Sequence, residues 1–249
     1  VAVASDELVN KVVEEVSKNS TEENQALSAK VMKSIVETNP EKIETLSDEN
    51  KETMITQTIE AAKNQAEGTS TNEIDLTNTI AEIITKSDTA TAAKVLETLD
   101  QVSSESSSKL SLSVVSNLTK QENYEEKMEI LSVTSSIVEQ SITKLVEKAV
   151  ENASSEEDLE LVTNIVENSK GTISDKIINS ANTNEESKKK ITEVIVKVVE
   201  KNPEKAVEII EKNKNTNTVL ETIKNKIEKG EAVSTDDFEE VFDKNVSPN

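Results

Sequence analysis

Carboxylates, hydroxyls and lysine amines are the reactive side chains this sequence offers. Its 249 residues hold 49 Asp and Glu against 28 Lys, a formal net charge of −21, with no His, Cys, Trp or Arg. Those absences remove whole reaction classes. Without His or Cys there is no Ser–His pair, thiol nucleophile, zinc site of the usual kind or imidazole switch. Without Arg there is no guanidinium fork to grip a phosphate or a carboxylate.

The groups that remain could in principle do acid–base work or bind a cation. Acid–base catalysis needs carboxyls that are desolvated and pushed apart in pKa, whereas the acidic residues here fall on the polar faces of amphipathic segments and read as solvated surface. Asp88, Glu156-Glu157-Asp158 and Asp236-Asp237 carry Ca²⁺-ligand chemistry. However, no D-x-[DN]-x-[DN]-G loop accompanies them, and their places at helix starts predict that they stabilise helix dipoles. Ser17-Lys18 and Ser169-Lys170 set a hydroxyl beside an amine, but as helix-end residues. Three isolated glycines, Gly68, Gly171 and Gly230, build no phosphate-cradling loop. The run Lys188-Lys189-Lys190 lies among Glu185, Glu186 and Glu193, as a solvated helix face would. Asn19, Asn117 and Asn152 open glycosylation-type triplets in a chain so rich in Asn, Ser and Thr that such triplets arise by chance. The reading is of a protein that is not an enzyme and that uses no cofactor or metal. The acidic balance argues against nucleic acid, whose phosphates need clustered cations. No apolar run approaches the ~18 residues of a membrane span.

The elements that must position any site are helices. Leu8, Val9, Val12, Val13 and Val16 recur at helical spacing, as do Leu27, Val31, Met32, Ile35 and Val36, and Ile191, Val194, Ile195, Val198 and Val199. Leu110-Ser111-Leu112-Ser113-Val114 alternates like a strand, but the pattern runs on to Val115 and Leu118 and reads as helix. Capping boxes are expected at Ser20-x-x-Glu23, Ser70-x-x-Glu73, Ser154-x-x-Glu157 and Thr183-x-x-Glu186. The three glycines suit positions just past helix ends, and Asn39-Pro40 and Asn202-Pro203 suit helix starts.

An internal repeat orders these pieces. Residues 21–42 align without gaps on 184–205, an offset of 163 that carries Asn39-Pro40-Glu41-Lys42 onto Asn202-Pro203-Glu204-Lys205. Between the copies, long helices are expected at 71–86 and 124–152 and short ones at 89–102 and 156–168. Third helices are expected at 48–66, 105–119, 172–181 and 217–229. The expected fold is all-α, a single elongated solenoid of about four three-helix units, HEAT- or armadillo-like in shape without any signature of those families. The units span 20–68, 70–120, 123–182 and 183–230, with partial units at 5–18 and 234–249.

Units that stop out of phase predict a chain cut from a longer array or one whose ends meet neighbouring copies; the start also lacks an initiator Met. Phe238 and Phe242, with Val241, form an apolar edge on the last segment and are the candidate interface, since aromatics carry a large share of contact energy. The expected function is that of a structural or assembly protein, a piece of a bacterial surface array, filament or long adhesin-like chain whose partner is itself. A monomeric acidic module holding a basic or extended protein is the alternative. An extracellular or cell-surface place fits the Cys-free, acidic exterior, without excluding the cytoplasm.

Overall fold

The structure, a computed structural model, describes residues 4–68, 74–104, 109–134, 153, 155–169, 185–212, 218–234 and 236–237. Among these the chain is all-α, with no strand. Eleven α-helices occur among them: α1 (Asp6–Ser17), α2 (Glu22–Thr38), α3 (Asp48–Ala66), α4 (Leu76–Lys86), α5 (Thr89–Ser104), α6 (Lys109–Thr119), α7 (Tyr124–Thr134), α8 (Glu156–Asn168), α9 (Glu185–Lys201), α10 (Pro203–Lys212) and α11 (Thr218–Lys229). A 3-10 helix, Pro40–Ile43, stands between α2 and α3. The expected third helix at 172–181 lies outside the described residues, as does the rest of 124–152 beyond α7.

The helix starts are set by caps, and two differ from the sequence expectation. The α2 cap is Thr21, whose hydroxyl accepts from the Asn24 amide at 3.3 Å, not Ser20. The α8 cap is Ser155, not Ser154: it accepts from the Asp158 amide at 3.1 Å while the Asp158 carboxylate accepts from the Ser155 amide at 3.1 Å. In α8 the short Asp three residues on can reach back to close the reciprocal box, so the start falls one residue later. The expected Ser70 and Thr183 boxes lie outside the described residues. Helix α4 begins at Leu76 and not near residue 71, because Asp75 accepts from the Asn78 amide at 3.0 Å and stops the helix there. At the other ends, Gly68 and Gly230 take φ of 71° and 68°, where a residue with a Cβ would be strained; Gly171 is outside the described residues.

The chain divides into two compact units, residues 1–145 and 146–249. In the first, every helix from α3 to α7 packs on the helix before it and on the helix two places before it. Helix α6 is wrapped nearly all round, burying Leu110, Ser111, Leu112, Val114, Val115, Ser116, Leu118 and Thr119. That explains why its sequence alternates without being a strand: the small hydroxyl residues face neighbours too. In the second unit, α8 packs on α9, α9 on α10 and α10 on α11.

Buried hydroxyls extend a core poor in large apolar residues. Thr58, Thr98 and Thr163 donate to the carbonyl four residues back in their own helices, at 2.7, 2.9 and 2.8 Å, and Ser87, just past the end of α4, donates to the Ile83 carbonyl at 2.6 Å. Thr thereby fills core space much as Val would, with its polar atom satisfied locally. Buried Gln57 of α3 donates at 3.1 Å to the carbonyl of Ser17, the last residue of α1, and accepts from the buried Ser28 hydroxyl of α2. One amide thus joins three helices.

Candidate functional site

Two places combine chemistry with position: a charged node in the first unit, and the apolar residues left outside its core. The node starts at Glu44, just after the 3-10 helix. Its carboxylate accepts from the Asp88 amide at 2.9 Å, the Thr91 hydroxyl at 3.1 Å and the Lys51 ammonium at 2.9 Å. Asp88 in turn accepts from the Thr91 amide at 2.7 Å. Two carboxylates therefore converge on the start of α5, where the helix dipole favours negative charge. Lys127 of α7 closes the cluster by donating to the Ser87 carbonyl.

The electrostatics of this node favour holding over reacting. Partial burial pushes the Asp88 carboxyl up, but the Thr91 hydrogen bonds, with the Lys51 charge behind them, hold it below the ordinary carboxylate range. Burial pushes the Lys127 amine down, against the pull of Asp88 and Glu44. An Asp kept ionised by hydrogen-bond donors is a poor proton donor. What the arrangement does is join the 3-10 turn, α3, α5 and α7 at one point. Among the described residues no cluster of three or more Asp, Glu, His or Cys side chains could hold a metal ion, and no helix is long and apolar enough to cross a membrane.

A similar joint lies beside α1. Asn10 donates to the Thr45 carbonyl at 3.0 Å and accepts from the Ser47 amide at 2.9 Å, while Lys42 donates to the Ala4 carbonyl at 2.7 Å and pairs with Asp6 at 2.8 Å. The hydrogen bond to Lys42 and its charge hold the Asp6 carboxyl below its ordinary range.

Of the sequence candidates, Phe238, Val241 and Phe242 lie outside the described residues. The start of their segment is described: Asp237 pairs with Lys226 of α11 at 2.6 Å and accepts from the Ser234 amide at 2.8 Å. Lys190 pairs with Glu186 at 3.0 Å, and Lys189 is exposed. Asn117 donates to Thr77 at 2.9 Å, so its triplet is engaged in packing α6 on α4, whereas Asn19 is exposed between α1 and α2. Sequence reasoning missed Glu44, Lys51 and Lys127. Glu44 meets Asp88 and Thr91 across 44 and 47 residues, and no local spacing encodes such a meeting.

The stripes that sequence assigned to the core include two that are not wholly buried. Val9 and Val13 of α1 are fully covered, but Leu8 is 52% exposed; Leu27 of α2 is 43% exposed.

Comparison of the chain with protein-family models, curated proteins and solved structures gives no match. The most informative comparison is thus of the chain with itself. Helix α2 ends at Thr38 and α9 at Lys201, so the 163-residue offset holds at that end. Buried Val31, Met32 and Ile35 fall on buried Val194, Ile195 and Val198, and past the prolines buried Ile43 and Leu46 fall on buried Ala206 and Ile209. The two backbones diverge after Pro40 and Pro203. Asn202 accepts from the Lys205 amide at 3.1 Å and starts the ten-residue α10, whereas Asn39 makes no such bond and only a 3-10 turn forms before Ser47 caps α3.

Proposed function

We propose that this chain is a non-enzymatic assembly protein: a helical-repeat solenoid whose copies join head to tail in a bacterial surface array, filament or long adhesin-like chain. The repeat carries the reading. A helix with the same C-terminal end and several of the same buried positions occurs twice in one chain, and units of that kind bury their apolar stripes on neighbours and not alone. Neighbour-on-neighbour packing of α1–α7 agrees with it. So does the character of the charged clusters, which tie helices together. A heterologous contact between unlike ends propagates as an open series, and the large negative charge discourages contacts elsewhere on the surface.

Light scattering across a concentration series, with negative-stain microscopy of the same samples, tests the reading. Ordered polymers that lengthen with concentration are expected. A monomer at every concentration refutes it.

A further inference from the structure

In the first unit, helices two places apart repeat one another at a fixed interval. Helix α3 starts at Asp48 and α5 at Thr89, an offset of 41 residues. Their caps keep it: Ser47 accepts from the Asn50 amide at 3.3 Å, and Asp88 from the Thr91 amide at 2.7 Å. Their cores keep it too. Buried Met54, Ile55, Gln57, Thr58 and Ala61 fall on buried Val95, Leu96, Thr98, Leu99 and Val102; Ile59, which falls on half-buried Asp100, departs from the match. The starts of α1 and α7 lie 42 residues before α3 and 35 after α5, so the turns absorb some change in length.

Hydrogen bonds that cross the first unit share this interval. Asn50 donates to Asn10, Gln57 to Ser17, Asn117 to Thr77 and Lys127 to Ser87, in each case across 40 residues. Within the second unit, the Lys197–Glu156 and Lys201–Glu160 pairs each span 41. Charge sorts on the same alternation. Helices α1, α3, α5 and α7 carry thirteen acidic side chains against five lysines, whereas α2, α4 and α6 carry four of each. A three-helix unit would mix the two sets, and a two-helix step keeps them apart.

From the helical-repeat part of the proposed function, and independently of the head-to-tail contact, we infer that the repeating step of the first unit is a pair of helices about 41 residues long. One helix of the pair is acidic and the other balanced in charge, and the pair replaces the three-helix unit expected from sequence. The short helix that would complete a triplet after α2 is a 3-10 turn. Such a step is what a spanning protein lengthens by: each one added repeats contacts already present and adds one helix-packing distance, ~10 Å.

Three variants of the full chain, followed by circular dichroism and thermal unfolding, test the step. Deleting residues 48–88 removes one whole step and joins Thr89 to Ser47, which then caps α5. Duplicating 48–88 adds one step. Deleting 75–88 removes α4 alone and throws the following helices out of alternation. The two whole-step variants are expected to keep the wild-type ellipticity per residue and a cooperative melt, whereas the α4 deletion loses part of both. Ser47→Ala placed in the 48–88 deletion lowers its melting temperature by about 2–4 °C, the effect of one lost cap, because α5 now starts where α3 did. A fold kept by either whole-step variant and lost by the α4 deletion supports the step, the duplication guarding against a fault at the deletion junction. If both whole-step variants lose as much helicity as the α4 deletion, the inference falls. An α4 deletion that melts like the wild type also overturns it, since the helices then need no pairing. None of these outcomes depends on whether copies associate, so the step and the head-to-tail contact fail separately.

Discussion

Replacing Glu44 by Ala tests whether the charged node holds the first unit together. The carboxylate accepts three hydrogen bonds, from the Asp88 amide, the Thr91 hydroxyl and the Lys51 ammonium. Hydrogen bonds to a charged group contribute ~1.5–3 kcal/mol each, but the three share one acceptor. The Glu44 side chain is also 29% exposed and Lys51 18%, so water recovers part of the loss. The expected cost is about 2–3 kcal/mol. For a chain of this size roughly 2–4 °C is lost per kcal/mol, which places the drop in melting temperature at about 5–10 °C. The assay is thermal and urea unfolding followed by circular dichroism. Glu37→Ala, which removes the solvent-facing i,i+4 partner of Lys33, is the control and costs less than ~0.5 kcal/mol. Raising salt narrows the control's small difference more than that of Glu44→Ala, because the node is better shielded from ions. If Glu44→Ala melts within about a degree of Glu37→Ala, the node is decoration and does not hold the unit together.

Thr58→Val raises stability by about 1 kcal/mol, since it trades a buried hydroxyl for a methyl while the Met54 carbonyl keeps its helix bond. Ser28→Ala does the reverse by about 1–2 kcal/mol, because the buried Gln57 oxygen loses its donor; chemical denaturation that ranks the two the other way contradicts the account of the core. Gly230→Ala costs about 1 kcal/mol of backbone strain alone, since a Cβ there would meet nothing within 4 Å; a larger loss points to a packing role. Lowering the pH from 7 first raises the melting temperature as the charge of −21 is reduced. Below ~3.9 the trend reverses: Asp6, Asp88 and Asp237 have folded pKa values held below their unfolded ones, so the stability they contribute above that pH is lost as they protonate. A melting temperature that rises steadily to pH 2 contradicts this.

Helix type and extent were legible where the apolar period was strong and a capping residue stood nearby. Helices α3 and α8 fall on the expected 48–66 and 156–168. What local pattern did not carry was the choice between adjacent caps: Thr21 against Ser20 and Ser155 against Ser154 differ by one residue of equal propensity. Nor could periodicity separate Val9 from Leu8 on α1. Both lie on the apolar stripe, and only the neighbours that α1 possesses decide which is covered. The charged node was illegible for a related reason. Glu44 and Asp88 are each unremarkable acids in their own segments, and their meaning arises when the turn after Pro40 meets the start of α5. The candidate ridge at Phe238, Val241 and Phe242 was read from the rarity of aromatics, a compositional signal that needs no tertiary knowledge.

The composition itself follows from how these helices bury one another. A helix covered on several sides needs small, satisfied residues more than large apolar ones, and Ser and Thr meet that need when each hydroxyl bonds its own helix, as at Thr58, Thr98 and Thr163. Each such residue gives up about one methyl's worth of hydrophobic free energy relative to Val. Cohesion must then come from joints of another kind. Gln57, Asn10 and Glu44 supply them by engaging backbone groups of segments distant in sequence. Those joints demand one geometry, unlike a greasy contact that tolerates sliding. A core of this kind holds its helices at fixed spacing. The same economy makes exposed leucine conspicuous: in a chain that fills its interior with threonine, Leu8 and Leu27 at the surface are apolar area whose burial on a partner would stabilise a contact.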